Sequence, residues 1–168
     1  MSYDLCLWDA ARHPPLPTSA ADAADILDRL EAISEEPNAS LHAFAAALVD
    51  RYQAETHNTD AASLEKFFGV DPRTSIAACR TAVCRLSLPL KPATAQRIYI
   101  VGAAARHNIV VYDDEDGHCF LPDGTIFPED GRAMWEWEIG PPQDSRNLLQ
   151  KVAGALFDVI GRDNKHRS

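Results

Sequence analysis

Two stretches hold the residues with the most chemical potential. The first is Tyr112-Asp113-Asp114-Glu115-Asp116-Gly117-His118-Cys119, in which four carboxylates, an imidazole and a thiol fall within eight positions. Carboxylates and imidazole in one cleft are the groups of general acid–base catalysis. An enzyme of unrecognised class with a site near Tyr112, Asp113 and His118 is therefore one reading. A thiol–imidazole pair is a second, drawing on Cys84 or Cys119 with His107 or His118. An activated thiolate needs an electropositive, partly exposed setting, and the acidic run beside Cys119 works against it. Four acids in a turn are ordinarily solvated, because Asp is a good turn residue. The other stretch is Trp135-Glu136-Trp137-Glu138. In a strand this alternation puts both tryptophans on one face and both glutamates on the other. That suits either an amphipathic core strand or a binding face, where Trp anchors and Glu pairs with a partner's Lys or Arg.

Charge favours the binding reading. The 168 residues carry a net charge of −9, with 25 acids and 16 bases. Ten of the acids lie between Ile109 and Asp144, where Arg132 is the only Lys or Arg, and the rest of the chain is balanced. The whole net charge thus sits in one segment. Such a segment repels phosphate, so nucleic acid is not an expected partner. It attracts a basic protein surface. The candidate partner-binding residues are Asp113, Asp114, Glu115, Asp116, Trp135, Glu136, Trp137 and Glu138. No catalytic residue is assigned.

No phosphate-binding GxxxxGK[ST] or GxGxxG is present, nor GxSxG, nor HExxH. Cys6, Cys79, Cys84 and Cys119 form no CxxC pair, and adjacent His118 and Cys119 would point to opposite faces of a strand. No metal, cofactor or disulfide staple is expected. No apolar run approaches the roughly 20 residues of a membrane span. The opening Met1-Ser2-Tyr3-Asp4 has no basic n-region. A cytoplasmic, reducing location and no membrane partner are the expectations.

The elements that must position these groups follow from periodicity and punctuation. Tyr3 to Trp8 reads as a first strand. Ser19 opens a helix with Ala23, Ile26, Leu27, Leu30 and Ile33 as its apolar stripe. Asn38 or Ser40 opens a second, with Leu41, Phe44, Ala45, Leu48, Val49 and Tyr52 inward and His42 outward. Leu64, Phe67 and Phe68 form a short helical turn ending at Gly69. A strand runs from Ala82 to Leu88 with Arg85 and Ser87 outward. A third helix has Ala95, Ile98, Val101, Gly102 and Ala105 inward and ends at Asn108 in the left-handed conformation. Strands at 109–112 and 118–121 flank the acidic turn. A fifth covers 134–139, and a last helix places Leu149, Val152, Leu156 and Ile160 inward. This order predicts a single α+β domain over 1–168, frayed after about 162. Its mostly antiparallel sheet carries helices on one face, as in a ferredoxin-like core with additions.

Two blocks carry a resemblance. Met1-Ser2-Tyr3-Asp4-Leu5-Cys6-Leu7-Trp8 resembles the opening M-[SA]-Y-D-[LF]-x-[LVF]-[WFY] of a group of small bacterial cytoplasmic proteins. His107-Asn108-Ile109-Val110-Val111-Tyr112-Asp113 is similar to the H-x-[LIV]-V-x-Y-D strand of the same group. The chain departs at Asp114, where many members have Pro. Some members look like immunity proteins carried beside secreted antibacterial toxins. The resemblance implies a cytoplasmic protein that binds and neutralises a cognate toxin, with a basic toxin domain as partner. A homodimeric regulatory module, joined through the edge of the fifth strand, is a further alternative.

Overall fold

A computed structural model describes residues 3–57, 59–89 and 94–129. Among them β1 (Tyr3–Asp9) is followed by four helices: α1 (Ala20–Glu31), α2 (Ala39–Thr56), α3 (Ala61–Phe68) and α4 (Pro72–Ala78). Then come β2 (Cys84–Leu88), α5 (Thr94–Arg106), β3 (Ile109–Asp113), β4 (His118–Phe120) and β5 (Ile126–Phe127). All strand pairs are antiparallel, in the order β2-β1-β3-β4-β5. The expected strand at 134–139 and the last helix lie outside the described residues.

The α+β class and the antiparallel sheet agree with the sequence reading, but the layering differs. Helices cover both faces. Leu5 and Leu7 of β1 join Leu86, Val111 and Phe120 in a core with α2, α3, α4 and α5. Cys6 and Trp8 join Val110, Tyr112 and Cys119 in a second core closed by Ala23, Ile26, Leu27 and Leu30 of α1. The reason is visible in β1, which is apolar on both faces from Leu5 to Trp8 and must be covered twice. Among the described residues the succession also departs from the β-α-β-β-α-β of a ferredoxin-like core. Four helices separate β1 from β2, and β3, β4 and β5 follow one another as a meander.

Local chemistry explains the helix starts. The Ser19 hydroxyl accepts from the Asp22 amide at 3.1 Å, and the Asp22 carboxylate reaches back to the Thr18 amide at 2.8 Å. This is a capping box displaced by one residue. α1 ends at Glu31, so Ile33 leaves the stripe and is 42% exposed. Asn38 caps α2 by accepting from the Leu41 amide at 3.1 Å, and the six-residue stripe of α2 is buried in the register read from its spacing. α4 was not anticipated, although Asp71 and Pro72 are an N-cap and a first-turn proline. α5 is rotated from its expected register: Tyr99, Ile100, Ala103 and Ala104 are buried, while Ile98, Val101, Gly102 and Ala105 are only half-buried. Tyr99 is pinned by its hydroxyl, which donates to the Leu48 carbonyl at 3.0 Å.

Gly69 ends α3 with φ of 81°, and a Cβ there would stand 2.8 Å from the Ser87 carbonyl oxygen. Only glycine lets the α3–α4 link lie this close to β2. Phe67 and Phe68 of α3 meet each other and Tyr52 of α2 at ring separations of 4.6–5.7 Å, which seats this corner on the sheet.

Candidate functional site

The acidic turn joins β3 to β4, and side-chain alternation divides it between the two faces of the sheet. Asp113 closes β3 on the α5 side, opposite Leu5 and His118 in the two ladders. It is 0% exposed, so the expectation that it belongs to a solvated run is corrected. Its carboxylate accepts from the Tyr3 hydroxyl, from Arg97 Nη1 at 3.0 Å and from the Asp116 amide at 3.1 Å. Arg97 Nη1 also meets Asp116 Oδ2 at 2.8 Å. Arg97 comes from α5 and its side chain is only 12% exposed. Burial, reinforced by the bond to Asp113, pushes the Tyr3 hydroxyl pKa far above its usual value, so it remains a donor. A buried carboxylate persists only when paired and hydrogen-bonded, and here a phenol, a guanidinium and a backbone amide do this.

One ligand atom each of Asp113, Asp116 and His118 falls within 4.8 Å of the others. The Arg97 guanidinium already supplies the positive charge between the two carboxylates. The trio Tyr112, Asp113 and His118 does not converge. Tyr112 packs on the α1 side with Cys6 and Cys119, away from the other two. His118 and Cys119 likewise point apart. Burial pushes the Cys6 and Cys119 thiols up to about 12, the reverse of nucleophile activation.

On the α1 side, Arg85 of β2 gathers a second group. It forms an ion pair with Glu31 of α1 and lies 3.4 Å from Asp114 and 3.9 Å from Asp4. Arg85 is 41% exposed and its three partners are also open to solvent, so the group is a surface feature. With Glu115 exposed beside it, this end of the sheet collects Asp4, Glu31, Asp113, Asp114, Glu115 and Asp116 against Arg85 and Arg97. Among the described residues, six carboxylates and two guanidiniums give this group a charge of −4. Of the expected partner-binding residues, Asp114 and Glu115 are exposed, Asp116 is half-buried against Arg97, and Asp113 is interior. Trp135, Glu136, Trp137 and Glu138 lie outside the described residues. Tyr3, Arg85 and Arg97, which organise the cluster, were missed. Their one sequence signal is that Arg85 is an outward basic residue in an apolar strand.

A second polar group occupies the opposite end of β1. Asp9 is 5% exposed and accepts from the amides of Ala11 at 2.8 Å and Arg12 at 3.3 Å and from the Asn38 side chain. Glu35 pairs with Arg12 at 2.6 Å and His13 at 3.3 Å. These residues line a cavity of about 10 Å³, the space of a single water. Burial acts to raise the Asp9 pKa, but the bonds from Asn38, Ala11, Ser40 and Arg12 outweigh it and hold the carboxyl below its ordinary value. This stabilisation is present above the unfolded carboxyl pKa of about 3.9 and is lost as pH falls through the lower folded value. Asn38→Ala removes both the α2 cap and a partner of Asp9. It is expected to cost about 1–2 kcal/mol near neutral pH, and less in acid. Urea unfolding across a pH series checks this.

No protein-family model, curated protein or solved structure matches this chain.

Proposed function

We propose that the protein is an immunity-type inhibitor that docks the acidic end of its sheet on a basic toxin domain in the cytoplasm and blocks it. The observation that carries this reading is the charge of −4 that the described residues gather around Arg85 and Arg97, with Asp114 and Glu115 facing solvent. The two arginines hold the other carboxylates of this end in place, so the negative field has a defined shape. Toxins that cut nucleic acid present cationic clefts, and an acidic inhibitor gains association rate from steering toward them. The resemblance of residues 1–8 and 107–113 to immunity-like proteins points the same way. Trp135 and Trp137 are the proposed apolar anchors, which act on dissociation, and Glu136 and Glu138 are proposed to pair with basic groups of the same partner.

The test is co-expression with the product of the neighbouring gene, followed by binding kinetics over a salt series. Asp114→Asn with Glu115→Gln is expected to slow association at low salt. The difference should fade as the screening length falls from about 30 Å at 0.01 M to about 3 Å at 1 M. Glu136→Gln with Glu138→Gln is expected to behave alike. Asp113 is excluded from the series because its loss would disturb the interior. Wild-type association rates for both pairs of variants at low salt would remove the main support for this reading.

A further inference from the structure

Cys79 and Cys84 stand at the two ends of the tight link between α4 and β2. Cys79 follows the last residue of α4 and is half-buried, and Cys84 opens β2 and is buried. The link bends around the Cys79 sulfur. Its thiol donates to the Thr81 and Val83 carbonyls, both at 3.2 Å, and the Thr81 hydroxyl donates to the same Val83 carbonyl at 2.7 Å. Val83 directly precedes Cys84, and Cys79 packs against the same core that Cys84 belongs to. Both cysteines are free.

We propose that Cys79 and Cys84 are a reversible dithiol–disulfide pair, oxidised by exchange with a low-molecular-weight disulfide. The other cysteines have no such neighbour across the sheet. Cys6 is level with Tyr112 on β3, and Tyr112 with Cys119 on β4, so Cys6 and Cys119 stand two strand spacings apart. That is about 9–10 Å, beyond the roughly 7 Å limit between Cα atoms joined by a disulfide. Cys84 is level with Leu7 and belongs to the opposite core from Cys6.

The exchange balances in two steps. The half-buried Cys79 loses its proton to solvent, and its thiolate attacks one sulfur of glutathione disulfide. A mixed disulfide forms and one glutathione leaves as thiolate. Cys84 then loses its proton and attacks the Cys79 sulfur, forming the internal disulfide and releasing the second glutathione. The two protein thiols are oxidised and one glutathione disulfide is reduced to two glutathiones. Burial first, and then the neighbouring Cys79 thiol, hold Cys84 protonated, so the second step is slow and the pair is best read at equilibrium.

Trypsin makes the readout direct. Arg73, Arg80 and Arg85 place Cys79 in peptide 74–80 and Cys84 in peptide 81–85. The full chain is equilibrated in glutathione buffers of graded ratio, folded and in guanidinium, then acid-quenched, alkylated and digested. The folded protein is expected to yield the 74–80/81–85 cross-link, cleaved by reductant, in a buffer about tenfold or more less oxidising than the denatured chain needs. Cys79→Ser and Cys84→Ser should each abolish it, and Cys6→Ser and Cys119→Ser should leave it. By linkage, oxidation should raise the melting temperature. If the folded chain needs an equal or more oxidising buffer, or stops at the mixed disulfide, the pair is structural only. Should Cys84→Ser fail to fold, Cys79→Ser and the folded-to-denatured comparison still decide.

Discussion

Replacing Arg97 by alanine is expected to lower folding stability by about 3–5 kcal/mol, the cost of breaking a buried ion pair by removing one partner. The variant strands Asp113, which has no exposed surface, with the Tyr3 hydroxyl and the Asp116 amide as its remaining donors. It also removes the 2.8 Å contact between Asp116 and Arg97, one tie between the β3–β4 turn and α5. Arg97→Lys keeps the charge but loses the planar guanidinium and part of its reach, and should fall between alanine and wild type. A double-mutant cycle with Asp113→Asn, read by urea unfolding, should give a coupling of about 1–3 kcal/mol. An Arg97→Ala penalty under about 0.5 kcal/mol, the range of an ordinary surface change, would show that the cluster is not a structural ion pair.

The next largest effect belongs to α2. Leu48→Ala is expected to cost about 2–5 kcal/mol, the transfer of its side chain plus the cavity left behind. Leu48 is fully buried among residues of α3, α4, α5 and the sheet, and its carbonyl receives the Tyr99 hydroxyl, so its surroundings are held from two sides. Such a site collapses poorly, which favours the upper part of the range. His42→Ala, on the exposed side of the same helix, should cost less than about 0.5 kcal/mol. Similar penalties in denaturant melts would overturn the packing register of α2.

The contrast between these residues separates what is written locally from what is not. The stripe of α2 was legible because Leu41, Phe44, Leu48 and Tyr52 are large and recur with the helical period, so a single face has most to gain from burial. The caps at Ser19 and Asn38 and the left-handed Asn108 were legible because they satisfy their own neighbours' backbone groups. The β3–β4 hairpin was legible from two apolar runs around an acidic turn. α5 was misread because its small residues surround the helix, and no face stands out until Tyr99 finds the Leu48 carbonyl. Helices were expected on one face only, although β1 is apolar on both and needs two covering layers; periodicity says which face is apolar and not which helix will lie on it. Asp113 shows the limit most clearly. Within its own run it is one turn carboxylate among four, and a turn carboxylate is solvated by default. Its burial depends on Arg97, sixteen residues away, and on Tyr3, 110 residues away. Local pattern encodes preference for water or core, whereas a buried charge is decided by whether distant donors arrive together, and only tertiary packing brings them.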